Sequence, residues 1–219
     1  MKPIEQINEC GRLCIEYQKL QDSVTSANPN WGEDDPRHTL IEIPKKAVFN
    51  FRVTLCFING ELTIPEWWDK NVNFTSPEQR QSMYETYDIF QKAAHYFMFI
   101  SHFESQIRKV FRLYKPGKCN DGLGPFRNVI DSLIASLGLS SFSSTIEFMV
   151  DIRNTLHNNG YYFPTNGKHK THTFKGNSYD FVVGDPIDAL PPKTFFGIVE
   201  EILLLTGKIV THPDIIALK

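Results

Sequence analysis

SPEQRQSMYETYDIFQKAAHYFMFISHFESQIRKVFRLY, residues 76–114, decides the fold class. Ser76-Pro77-Glu78-Gln79 places in order a side chain that accepts a backbone N–H, a proline suited to the first helical position, and a capping-box Gln. From there Met83, Tyr87, Phe90, Ala94, Phe97, Ile100, Phe103, Ile107, Val110 and Phe111 recur every three or four residues, the period of one helix face. Lys115-Pro116-Gly117 stops the pattern. One long helix is expected over 76–114.

Toward the C-terminus, a Gly-rich loop over 118–125 precedes a shorter helix over 127–137 and a break over 138–143. Ser144-Thr145-Ile146-Glu147 then reads as a second capping box, opening a helix that carries Ile146, Met149, Val150 and Ile152 and closes at Asn159-Gly160. β-rich or alternating runs at 161–163, 172–174 and 179–183, around Gly176-Asn177, predict a small hairpin, and a last helix is expected over 194–210. That helix should pack against the one over 145–157.

Toward the N-terminus, Ile4, Ile7, Cys14, Ile15 and Leu20 fall at helical spacing, and residues 26–38 form a polar stretch with two prolines that reads as a surface loop. Residues 48–64 admit two readings. Phe49, Phe51, Val53, Leu55 and Phe57 alternate with polar residues up to Asn59-Gly60, a strong hairpin signal; equally, Pro44 can open a helix that Gly60 ends, with Ala47, Phe51, Leu55 and Ile58 as its stripe. The sum is a mainly α protein, α+β only at its margins. We expect an up-down bundle of four to five helices with short β-hairpin decorations, one domain over 1–219. In it, 76–219 makes the bundle, and 1–75 makes an appendage of helix, polar loop and hairpin.

A chain of 219 residues, 41% hydrophobic and with 17 Phe, has material for a sizeable aromatic core without a staple. A net charge of −2 argues against the broad basic footprint of non-specific nucleic-acid binding, so no DNA contact is expected and any RNA contact must be local. Cys10, Cys14, Cys56 and Cys119 are few, and no His or Cys pair completes zinc-ligand spacing beside Cys10 and Cys14. With Glu5 and Glu9 in place of an apolar signal core, the expected setting is the reducing cytoplasm. The most apolar stretch, 195–210, is too short for a bilayer and is broken by Glu200, Glu201 and Lys208, so no membrane is expected.

The densest polar cluster is Asp151-Ile152-Arg153-Asn154-Thr155-Leu156-His157-Asn158-Asn159-Gly160. Arg153 and His157 are four apart and share a helix face, with Asn154 and Asn158 as a second such pair. A guanidinium that stays charged beside an imidazole, a group able to move a proton near neutral pH, suits phosphodiester chemistry. A structural reading stands beside this one, because cations in the last turn of a helix also complement its dipole.

With Arg153-Asn154, then His157, then Asn-Gly at the end of an inner helix of a bundle, the sequence resembles the HEPN superfamily, helical proteins of prokaryotic defence, toxin–antitoxin and RNA-processing systems. Many members are metal-independent endoribonucleases with an Arg, four to six residues, then His. Two such motifs commonly meet across a homodimer and promote attack of a ribose 2′-OH on the adjacent phosphate. The resemblance implies that Arg153 binds phosphate and His157 is general acid/base, with RNA as substrate, a homodimer as the working form and no cofactor or metal. Here only three residues separate Arg153 from His157, which turns the His by about 100° around the helix relative to the shortest family spacing. The alternative is a non-catalytic module of the same fold that binds RNA, a nucleotide or an antitoxin-like protein in the same cleft.

Other signals are weaker. His95 and His102 share a face of the long helix but lack a carboxylate at metal-ligand spacing; Glu104 and Arg108 are expected to pair with each other. His102 is kept as a second candidate for the cleft. Lys168 and Lys170, with His169, His172 and Lys175, form the only basic cluster and are candidate RNA contacts beside Asp151, Asn154 and Asn158. Gly122-Leu123-Gly124-Pro125 lacks the Lys-Ser/Thr of a phosphate loop and reads as a turn, and Trp67-Trp68 as a cap on the core.

Overall fold

The computed structural model describes residues 1–74, 76–119, 122–186 and 190–218. Among them are eight α-helices and one two-stranded hairpin: α1 (Pro3–Ala27), α2 (Pro36–Gly60), α3 (Pro65–Val72), α4 (Pro77–Tyr114), α5 (Phe126–Ser136), α6 (Ser143–His157), β1 (Lys170–Phe174), β2 (Asn177–Phe181), α7 (Pro192–Val210) and α8 (Pro213–Ile216). The fold is mainly α with a β decoration. None of the described helices is long and apolar enough to cross a membrane.

The 38-residue α4 forms as its sequence predicts, with the Ser76 hydroxyl accepting from the Gln79 amide at 3.5 Å. At 1.5 Å per residue it is about 57 Å long. Only its second half is sunk in the core, through Tyr96, Phe99, Ile100, Phe103, Ile107, Val110 and Phe111. In the first half, Met83 and Phe90 of the expected stripe are exposed, as is neighbouring Ile89.

Residues 48–58 are helix, not hairpin. Two helical stripes overlap in this segment: Ala47, Val48, Phe51, Leu55 and Ile58 are buried, while Phe49, Val53 and Phe57 form a second, exposed row four residues apart. Together they imitate strand alternation. Gly60 has φ −96°, so it makes no turn of the kind that needs positive φ. The helix also starts earlier than Pro44, at Pro36, where the Asp35 carboxylate accepts from the Arg37 amide at 2.8 Å. Pro44 lies inside it and withholds a bond from the Leu40 carbonyl.

On α1 the buried face is Gln6, Cys10, Leu13, Tyr17 and Val24, whereas Ile4 and Ile15 of the expected stripe are exposed. Helix α6 begins at Ser143 with no side-chain cap, so the expected capping box does not form; Glu147 pairs with Lys170 instead, at 2.5 Å. The hairpin is antiparallel, from Lys170↔Phe181 to Phe174↔Asn177. Its two-residue loop is Lys175-Gly176, both at positive φ, one residue before the expected Gly176-Asn177. Gly197 on α7 lets the hairpin lie close: a Cβ there would meet the Phe174 ring at 3.1 Å.

One apolar cluster joins α1, α2, α4, α5, α6, α7 and the hairpin, with Tyr17, Phe51, Phe99, Phe103, Phe148 and Phe195 as its largest fully buried side chains. The helices of the stretch expected as an appendage thus supply a large part of the core. Phe51, Tyr96 and Phe195 form its aromatic centre, Tyr96 stacking on Phe195 with centroids 3.9 Å apart. Trp68 caps a smaller cluster with Ile58 and Leu62, donating its indole N–H to the Leu62 carbonyl at 2.9 Å.

Candidate functional site

Helix α6 stops where the sequence says it should. Asn159 and Gly160 both adopt positive φ, and the Gly160 amide donates to the Thr155 carbonyl at 2.9 Å, the closure of a left-handed helix end. Ile152 and Thr155 face the core, and Arg153 and His157 face a groove between α6 and α4. Two partners on α4 define that groove. The Arg153 Nε stands 3.5 Å from Glu104 Oε2, and the His157 ring lies parallel to that of Phe97 with centroids 6.0 Å apart. Phe97 and Glu104 are seven residues apart, two turns of one face, as Arg153 and His157 are one turn apart on the other.

Glu104 also accepts from Arg108 Nε and Nη2 at 3.0 and 2.8 Å, as expected for that pair, while Arg153 Nη1 donates to the Asn154 side chain at 3.1 Å. Glu104 Oε2 and Arg153 Nε are buried atoms without a hydrogen-bond partner, although the Arg153 side chain as a whole is 30% exposed. His157 is exposed and Asn154 is exposed; Asn158 caps the helix with its backbone. Beyond Arg153 the groove opens into a cavity of about 280 Å³ bordered by Glu104, Arg108, Arg127 and Asn154. Beyond His157 it widens into an apolar hollow of about 680 Å³ lined by Ile89, Phe90, Ala93, Phe97, Leu156 and Gly160.

Asp151 faces elsewhere. Two residues before Arg153, it lies about 160° around the helix and takes part in a latch: its Oδ2 accepts from Lys170 Nζ at 2.7 Å and is 2.8 Å from His172 Nε2. Burial pushes the Asp151 carboxyl up, but the hydrogen bonds from His172 and Lys170 and the Lys170 charge outweigh it and hold it below the usual carboxylate range. Burial acts to lower the Lys170 pKa, and the bonds to Asp151 and Glu147 outweigh it in turn, holding that ammonium above its ordinary value. Asp151 and Lys170 therefore bind the hairpin to α6 and are occupied there; Lys168 is exposed on the preceding loop. His102 lies about 140° around α4 from Phe97 and so does not share the groove face. His95, on that other side, is hydrogen-bonded to Thr54 at 2.9 Å.

Three participants escaped sequence reasoning. Glu104 as a partner of Arg153 and Arg127 as a neighbour depend on the register between α4, α5 and α6, which no local pattern encodes. His172 is 7% exposed and paired, although it belongs to the basic cluster expected to offer RNA contacts. Among the described residues no group of three or more His, Cys, Asp or Glu is placed to hold a metal ion. Comparison with family models, curated proteins and solved structures finds no match to the chain.

Proposed function

We propose that this chain is a metal-independent endoribonuclease of HEPN type that works as a homodimer. The observation that carries the reading is the state of His157: exposed, laid flat against Phe97, with neither ring nitrogen hydrogen-bonded among the described residues, one helical turn from a guanidinium. In this reading Arg153 turns from Glu104 to the scissile phosphate, and His157 is the proton carrier at one of the two reacting oxygens, the ribose 2′-OH or the leaving 5′-oxygen. In-line transesterification needs a base and an acid on opposite sides of phosphorus, and one His supplies only one of them. A two-fold partner supplies the second. The apolar hollow beside His157, with Ile89 59% and Phe90 66% exposed, offers the surface on which two copies would meet. A cytoplasmic setting and a role in defence or toxin–antitoxin systems belong to the same reading.

A second reading has its own support. The Glu104 carboxylate already offsets the Arg153 charge, and the three-residue spacing differs from the family motif. Both favour a silent module that binds RNA, a nucleotide or an antitoxin-like protein in the groove. Activity on single-stranded RNA separates the two: His157→Ala lowers cleavage by about 10²–10⁴-fold while the chain stays folded, and Arg153→Lys fails as well because a point charge does not replace the planar fork. Cleavage surviving both substitutions contradicts the enzymatic reading.

A further inference from the structure

The cavity beyond Arg153 brings together side chains from three helices: Glu104 and Arg108 of α4, Arg127 of α5 and Arg153 of α6. One carboxylate, Glu104, holds two guanidinium groups side by side against their mutual repulsion, accepting from Arg108 and standing 3.5 Å from Arg153 Nε. Donors are left over. Arg127 is tied through Nε alone, to Asp131 at 2.5 Å, and Arg153 makes its one hydrogen bond through Nη1, so both Nη groups of Arg127 and the Nη2 of Arg153 donate to nothing among the described residues. The buried Arg153 Nε likewise has no hydrogen-bond acceptor. The first turn of α5 completes the wall: Pro125 at its N-cap brings no side-chain cap, which leaves the positive end of an 11-residue helix facing the same space.

Charge and size select the ligand. Three guanidinium groups stand against two carboxylates, Glu104 in the lining and Asp131 just outside it at 2.5 Å from Arg127 Nε, which leaves one positive charge and several unused N–H donors. A phosphodiester offers only two non-bridging oxygens and leaves some of the free donors on Arg127 and Arg153 unmatched. A phosphomonoester carries about −1.5 to −2 at pH 7 and offers three acceptor oxygens that planar guanidinium forks match. At about 280 Å³ the cavity is just below the roughly 300–1,000 Å³ of sites that enclose a whole small molecule, so it takes the phosphate and leaves a base outside. We infer that this cavity is a phosphomonoester site, with Arg127 and Arg153 as its ligands and the terminal phosphate of a nucleotide or of an RNA strand as its occupant; Arg108, held by Glu104 and by the Gly124 carbonyl at 3.0 Å, adds its charge to the wall. It shares Arg153 with the proposed ribonuclease site but does not depend on cleavage.

Calorimetric titration of the full chain at low salt tests this with inorganic phosphate, 5′-AMP and adenosine. Phosphate and 5′-AMP bind and adenosine does not. Arg127→Gln weakens both by about tenfold or more, the loss expected for a charge-assisted donor pair, and Arg127→Lys restores only part. Arg127 is 32% exposed and paired only within its own helix, so an unchanged thermal transition is expected and shows that the variant is folded. A 5′-phosphorylated oligoribonucleotide binding at least about tenfold tighter than 5′-AMP assigns the site to RNA ends; equal or weaker binding assigns it to free nucleotides. Adenosine binding as well as 5′-AMP, no binding of either phosphate at millimolar concentration, or undiminished affinity in folded Arg127→Gln overturns the inference. Because binding is read without cleavage, a chain that binds phosphate and cuts no RNA keeps this site and loses the ribonuclease reading, and one that cuts RNA without binding these probes does the reverse.

Discussion

Glu104 faces two cations with one half-buried carboxylate, Arg108 through two hydrogen bonds and Arg153 through a looser ion pair at 3.5 Å. The looser contact can be exchanged for a phosphate, which draws on the same guanidinium with better geometry. Glu104→Gln should therefore separate stability from binding. Losing the charged acceptor destabilises the chain by about 1–2 kcal/mol, given a side chain only 14% exposed. RNA affinity rises several-fold, because Arg153 no longer has a carboxylate competitor. Thermal unfolding and filter binding read the two effects; affinity falling together with stability would mean that Glu104 positions Arg153 for RNA and does not restrain it. At this scale the sequence offered two pairs, Arg153 with His157 and Glu104 with Arg108, each spanning one helical turn. It hid the Glu104–Arg153 contact, which crosses from α4 to α6, and the burial of His172, since a basic run looks the same whether its histidine is solvated or packed against Phe148 and Phe181.

Elements were legible where one period stood alone. The long α4 stripe and its Ser76 cap left no competing pattern, and Asn159-Gly160 closes α6 through the left-handed conformation the pair suggests. Helix α2 was ambiguous because its exposed face repeats the residue types of its buried face, so local periodicity carried both signals. The second capping box does not form because α6 starts earlier: Phe142 is the N-cap, Ser144 already lies inside the helix, and Glu147 reaches Lys170 of the hairpin. That engagement is part of the latch made by Glu147, Asp151, Lys170 and His172. Asp151 titrates below the ordinary carboxylate range in the folded chain, so its contribution to stability is fully present above the unfolded pKa of about 3.9 and is lost as pH falls through the folded value. Asp151→Asn should cost about 1.5–3 kcal/mol at pH 7, from hydrogen bonds to charged groups, and much less at acid pH, where the native carboxyl is protonated too. Denaturant titrations of both proteins at pH 7 and in strong acid check this. An equal difference at both ends would remove the carboxylate charge from the latch.

The whole molecule packs α1, α2 and α4 to α7 around one Phe-rich core and leaves exposed Ile89 and Phe90 on the first half of α4, beside the apolar hollow at the end of α6. In water such a surface is most stable covered, and covering it with a second copy brings two His157 groups to one seam. Light scattering at micromolar concentration should give a dimer, burying on the order of 1,000 Å² or more in total, and Phe90→Glu should give a monomer with a normal thermal transition and little RNA cleavage. A dimer unaffected by Phe90→Glu would place the contact elsewhere. The central claim is that this chain cuts RNA with its own arginine and histidine and no metal. Its most direct test is the chemistry of the product ends after incubation of single-stranded RNA with the purified chain in EDTA. Cleavage that leaves 2′,3′-cyclic phosphate ends and disappears in His157→Ala is the predicted result. Cleavage that requires added metal, leaves 3′-hydroxyl ends or persists in folded His157→Ala would contradict it.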